Sequence, residues 1–195
     1  EDASYCYGDM CTLLSADDVF LFPSLYKTKS RNRQKDSANE ITRTETLNRL
    51  ANNPTPCVIV SYPEAIVELV VDSQHLRSST LSLQVEQTIS IDEIQKTLFE
   101  HQFQKVDFVY EPGQYAVRGS IVDIFSYACE NPYRIDFWGD EIESIRLFDI
   151  ETQLSTEKKE EIAIIPELSQ SSDHYSFFLE FFPSDTIYIF NDLSY

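Results

Sequence analysis

Apolar residues recur at two different periods along this 195-residue chain, and the change from one to the other divides it. In residues 2–14, Tyr7, Met10, Cys11 and Leu14 keep a helical spacing. Val19–Phe22 is an unbroken apolar run ended by Pro23, which predicts a buried strand. Residues 24–38 are polar and basic and predict a loop. A second helix is predicted over 40–53, with Ile41, Thr44, Leu47, Leu50 and Ala51 on one face and Asn52-Asn53-Pro54 as its stop. Residues 57–60 read as another buried strand. Pro63, suited to a first helical position, opens a predicted helix that runs to about Val71. Strands alternating with helices imply a parallel sheet with helices packed on it.

The pattern then shifts toward period two. Residues 79–89 read as extended. Ser90-Ile91-Asp92-Glu93 fits a capping box, and Ile91, Ile94, Leu98 and Phe99 form the stripe of the helix it opens. An extended run over 106–110, a Pro112-Gly113 turn, and one long strand over 115–125 follow. Tyr133–Trp138 and Glu141–Phe148 are two further strands, joined at Gly139-Asp140, a two-residue hairpin signal. One helix and four antiparallel strands make an α+β unit. Residues 151–161 read as a polar linker, 162–165 as a short strand, and 186–190 as a β-branched and aromatic strand after the aromatic stretch 176–182. The expected organisation is discontinuous: residues 1–78 and 162–195 form one α/β domain, and 79–161 form an inserted α+β domain.

Composition narrows the function. Net charge is 15 − 33 = −18, a surface that repels phosphate backbones and attracts basic ones. Lys27, Lys29, Arg31, Arg33 and Lys35 are the local exception, either a solvated loop or a phosphate contact of a longer protein. No run of 18 apolar residues occurs, so no membrane span is expected. Residues 1–10 carry neither a signal peptide's regions nor an initiator Met, so a segment of a longer chain is expected. Cys6, Cys11, Cys57 and Cys129 form no CxxC pair, and His75, His101 and His174 are scattered, which leaves metal-ligand spacing absent. Gly8, Gly113, Gly119 and Gly139 are unclustered, and no Walker-type lysine or nucleophile elbow is present.

One strand stands out. Alternation in Tyr133–Trp138 turns Tyr133, Ile135 and Phe137 to a core and Arg134, Asp136 and Trp138 to the other face. Trp138 is the only tryptophan and sits on the polar row. If 115–125 is one strand, Arg118 shares a row with Ala116, Ser120, Val122 and Ile124, opposite Val117 and Ile121. Should that row face outward, Arg118, Arg134, Asp136 and Trp138 make a patch of a kind common among interface hot spots. The plainer alternative is a solvent-exposed Arg134–Asp136 pair, with Trp138 covering the hairpin edge or packing on the other domain.

The stretches VDFVYEPGQYAVRGSIVDIF and PYRIDFWGDEIESIRLFDIETQ closely resemble the amino-terminal region of the bacterial transcription-repair coupling factor family, and that region is similar to the excision-repair protein UvrB. DVFLFPSLYK, ITRTETLNRL and CVIVSYPEAIVE extend the resemblance over nearly the whole chain. It implies a degenerate helicase-type α/β domain with an inserted domain that docks on UvrA, the damage-recognition ATPase of nucleotide excision repair. In the family, the coupling factor displaces stalled RNA polymerase and recruits UvrA. The ATP-driven translocase, with its ATP, Mg²⁺ and DNA, lies elsewhere in the parent, so this segment is expected to need no cofactor, to be non-catalytic and to be cytoplasmic.

The family's docking positions fall on Arg118 in the VRG step, on Arg134 and Asp136 in R-x-[DE]-F, on Trp138 after that Phe, and on Lys105 ahead of the first strand. Ala116 stands where the UvrB pattern F-R-V-R-G has a second arginine, which favours the coupling factor over UvrB. The short stretch 165–177 implies a reduced or absent third subdomain. The rivals are a UvrB-type helicase fragment, which needs a Walker A motif and an aromatic DNA-clamping hairpin, and an α/β enzyme domain with its active site elsewhere.

Overall fold

The computed structural model describes residues 2–26, 36–52, 55–168 and 175–190; the basic cluster at 27–35 and His174 lie outside them. Helix α1 (Asp2–Leu13) leads into strand β1 (Val19–Phe22), which pairs in parallel with β2 (Val58–Ser61) across helix α2 (Ser37–Asn52). This is the predicted strand–helix–strand step. The helix foreseen from Pro63 stops early: α3 is only Pro63–Ile66, and Leu69–Val71 is strand β3. Val67 and Leu69–Val71 suit a helix by hydrophobicity alone, but Val70 and Val71 are buried side by side in a strand and leave no helical stripe. Helix α4 (Ser73–Ser79) follows, capped by the Asp72 carboxylate, which accepts from the His75 N–H at 2.8 Å.

Phe22, Leu47, Ala51, Ala65, Leu76, Ile165 and Phe178 join in the core of this first region. Phe178 stacks on Phe22 with ring centroids 3.6 Å apart, and the buried Arg43 guanidinium lies 4.2 Å over the Phe22 ring. Arg43 also reaches Glu68 at 3.0 Å and donates to the Pro23 carbonyl, so the buried cation is paired. After Phe178 the expected strand over 186–190 does not form; Ile187 and Ile189 are exposed. Strand β12 (Tyr175–Phe177) instead pairs antiparallel with β3.

The second core belongs to a larger sheet. Helix α5 (Ile91–Glu100) starts at Ser90, whose Oγ accepts from the Glu93 N–H at 3.2 Å. Its fully buried Ile94 and Leu98 are each worth about 1.5–3 kcal/mol. Phe99, placed by period on the same stripe, is exposed instead. The helix packs on a six-stranded sheet, two strands more than expected, ordered β10-β9-β8-β7-β6-β5. Its members are β5 (Gln104–Lys105), β6 (Gln114–Arg118), β7 (Ile121–Ile124), β8 (Tyr133–Trp138), β9 (Glu141–Phe148) and β10 (Ser155–Lys159). All neighbours are antiparallel except β5 and β6, which run parallel.

Three expectations are corrected in this sheet. The run 115–125 is a hairpin and not one strand: Gly119, at φ +61°, takes the left-handed conformation a two-residue turn requires, and Arg118 pairs with Ile121. The polar stretch 151–161 is no linker, because five of its residues, Ser155–Lys159, are β10, a charged edge strand. The run 106–110 is irregular, and the edge strand on that side is β5.

Strand β4 (Leu81–Gln84) pairs antiparallel with β11 (Glu161–Ile164), so the segments entering and leaving this region run together. Leu83, Ile162 and Ile164 lie in the sheet's core, whereas Ile165 lies in the first region's core. The chain is a mixed α/β protein with several sheets. Among the described residues no helix is long and apolar enough to cross a membrane.

Candidate protein-docking site

The hairpin decides which side chains share a face. Tyr115, Val117, Val122 and Ile124 turn toward α5, as do Tyr133, Ile135 and Phe137 of β8. The register Arg118↔Ile121↔Asp136↔Ser144 and the register Ala116↔Asp123↔Arg134↔Arg146 then run across the opposite, outer face. Val122 and Ile124, expected beside Arg118, belong to the core. Asp123, which the single-strand reading left without a role, lies directly between the two arginines. Arg118 and Arg134 are therefore not on adjacent strands; β7 separates them and its carboxylate bridges them.

Asp123 is 1% exposed. Arg134 grips it with both arms of the fork, Nε donating to Oδ1 at 2.8 Å and Nη2 to Oδ2 at 2.9 Å. Nη1 and Nη2 also donate to the Gln153 backbone carbonyl and Oε1 at 3.2 and 3.3 Å, and the guanidinium lies 4.2 Å over the Phe148 ring. With four hydrogen bonds made internally and a side chain only 15% exposed, Arg134 is mostly committed to the fold. The hydrogen bonds to Asp123 hold its pKa above the ordinary arginine value. Arg118 also donates to Asp123 Oδ2, but its side chain is 36% exposed and lies 5.3 Å over the Phe108 ring. Two guanidiniums on one buried carboxylate leave one positive charge uncompensated, and Arg118 is where it meets solvent.

Asp136 does not pair with Arg134. It accepts from Arg146 Nη2 and from Ser144 Oγ, the latter at 2.9 Å, both on β9. Trp138 ends β8 on the outer row beside the Gly139-Asp140 turn and is 81% exposed. It neither covers an edge nor packs on the first region. Lys105 stands apart: on edge strand β5 its ammonium donates to Gln95 Oε1 of α5 at 2.8 Å, on the helix-covered side. It meets Arg118 only across a shallow edge groove floored by Val106, Phe108 and Val117.

Four of the five residues predicted from sequence thus lie on one outer face, and Lys105 lies at its border. Sequence reasoning missed Asp123, Ser144, Arg146 and Phe108. The signal for the first was Gly119-Ser120, a two-residue hairpin loop like Gly139-Asp140. Among the described residues no group of His, Cys, Asp or Glu could hold a metal ion, and all four cysteines are free.

One face of the six-stranded sheet is thus closed by a helix, and the other carries guanidiniums and an exposed tryptophan, residue types enriched among interface hot spots. The family model described as UvrB interaction domain matches residues 81–169, from the first residue of β4 to just past β11. Over those residues the chain is similar to that family. Its relatives are transcription-repair-coupling factors. That of Bacillus subtilis (strain 168) is 31% identical over 158 residues, covering 81% of this chain and 13% of the relative. That of Rickettsia bellii (strain RML369-C) is 30% identical over 167 residues, covering 85% and 15%. That of Escherichia coli (strain K12) is 34% identical over 109 residues, covering 56% and 10%. The chain therefore spans 15% or less of the length of each of these relatives.

Proposed function

We propose that this chain is the docking module of a transcription-repair coupling factor and binds UvrA through the outer face of the sheet, bringing excision repair to stalled transcription. The observation that supports it most is Trp138, 81% exposed on the domain that residues 81–169 form, beside arginines whose geometry a buried acid fixes. Large exposed aromatics flanked by Arg are typical anchors of protein interfaces. Arg118 and Trp138 make the contacts, Asp136 lines the face between them, and Arg134 holds the arrangement with Asp123. Lys105 contributes at most at the rim. In this reading the first region is a degenerate helicase-type α/β scaffold into which the docking domain is inserted, and the chain works in the cytoplasm without catalysis of its own. ATP, Mg²⁺, RNA polymerase and DNA belong to other parts of the parent.

A single tryptophan makes the test direct. Labelled with 5-fluorotryptophan, the chain has one ¹⁹F resonance, from Trp138. Addition of UvrA shifts and broadens it if Trp138 enters the interface. An unmoved resonance at saturating UvrA contradicts the reading.

A further inference from the structure

The outer face carries more positive charge than the docking residues account for. The cross-strand register that runs Asp123↔Arg134↔Arg146 continues to Lys158 on β10, so three cations stand directly opposite one another on three successive strands. Like charges in directly opposed pairs disfavour a sheet. Asp123 offsets Arg134 and Asp136 offsets Arg146, but among the described residues Lys158 meets no acid, and it is exposed. Arg146 keeps a third of its side chain in solvent and makes its one ion pair through Nη2. The opposed cations lie on a chain with a net charge of −18, where acids outnumber bases by more than two to one. A row of cations on one face of so acidic a chain complements an acidic surface better than anything the chain itself presents.

From this row we infer that the docking face extends past Arg134 to the β10 edge, with Arg146 and Lys158 as further contact residues for an acidic patch on the protein partner. The inference rests on the UvrA reading and adds the chemistry of the contact: carboxylates of the partner aligned across the strands, meeting Arg118, Arg146 and Lys158. Duplex DNA, the other polyanion that could meet such a row, is disfavoured by the charge of the rest of the chain.

Neighbouring lysines allow a controlled test. Lys158 opposes Arg146 on the outer face, whereas Lys159 opposes the buried Ile145 on the helix side and pairs with Glu157 at 2.6 Å. Lys158→Glu and Lys159→Glu change net charge equally but on opposite faces, and Lys159→Glu in addition gives up the pair with Glu157. Titrated against UvrA, Lys158→Glu is expected to weaken binding about tenfold at low salt, with a smaller loss at high salt, and Lys159→Glu to stay within about twofold. Arg146→Gln, which keeps a donor for Asp136, is expected to lose about fivefold. Equal losses for both lysine variants reduce the effect to long-range charge and overturn the inference, as does unchanged binding of Lys158→Glu. So does a Lys158→Glu variant that loses duplex DNA binding while keeping UvrA. If the unaltered chain does not bind UvrA, the docking reading falls and this inference falls with it; if it binds and Lys158→Glu binds equally, only the extension falls.

Discussion

Arg134 and Asp123, eleven residues apart in sequence and directly opposed on β8 and β7, form a two-armed ion pair with bonds of 2.8 and 2.9 Å, with the carboxylate almost wholly out of solvent. Removing Arg134 strips the buried Asp123 carboxylate of its two-armed partner and leaves the half-exposed Arg118 as its one remaining cation. Arg134→Ala is therefore expected to destabilise the chain by about 3 kcal/mol, read by urea unfolding. Arg134→Glu, the obvious charge reversal, sets a second acid against Asp123 and is expected to be worse. A docking defect in either variant reports on folding as well as on contact.

Trp138 gives the cleaner probe. Its ring is exposed, so Trp138→Ala is expected to leave unfolding within about 0.5 kcal/mol of the unaltered chain. As an interface anchor its loss is expected to weaken UvrA binding by about 2 kcal/mol, roughly thirtyfold. Calorimetry on the two proteins side by side checks both numbers.

Lys105 supplies the contrast. Its ammonium is turned to Gln95 on the α5 side. Lys105→Ala is expected to change UvrA affinity by less than about threefold and stability by less than about 0.5 kcal/mol. A loss as large as that of Trp138→Ala would move the centre of the interface to the β5 edge.

His101, at the C-terminal end of α5, makes stability depend on pH. Burial lowers its pKa below the ordinary 6.5, against the pull of Glu100, and its Nδ1 is buried without a hydrogen-bond partner. The unfolded chain then takes up a proton at a higher pH than the folded one. Stability is full above about pH 6.5 and falls as pH drops through the lowered folded value. Melting curves from about pH 7.5 to about pH 5 are expected to show that decline, and His101→Leu to show less of it.

Much of this was legible in the sequence where one signal spoke without competition. The alternation Tyr133–Trp138 placed Arg134, Asp136 and Trp138 on one face, Gly139-Asp140 turned the chain, and Ser90 opened α5. Gly119-Ser120 carried the same kind of turn signal, but Val117 before it and Ile121-Val122 after it are apolar and β-branched, so the run reads as continuous. That one misreading hid Asp123, because an acid has no visible role until the hairpin sets it opposite Arg134. Strand β10 was hidden for a different reason: an edge strand carries charge against unwanted pairing and looks like a linker. The partner's identity was legible only through family resemblance, since periodicity fixes a face but not what it meets.

The central claim is that the outer face binds UvrA, and a calorimetric titration of the chain and its Arg118→Ala/Trp138→Ala variant against UvrA tests it most directly. Both substitutions fall on exposed or half-exposed side chains, so the variant is expected to keep its melting temperature within a few degrees, about 1 kcal/mol. The account predicts saturable binding by the unaltered chain and a loss of at least about a hundredfold in the folded variant. Equal affinity for both proteins, with the variant folded, would contradict it.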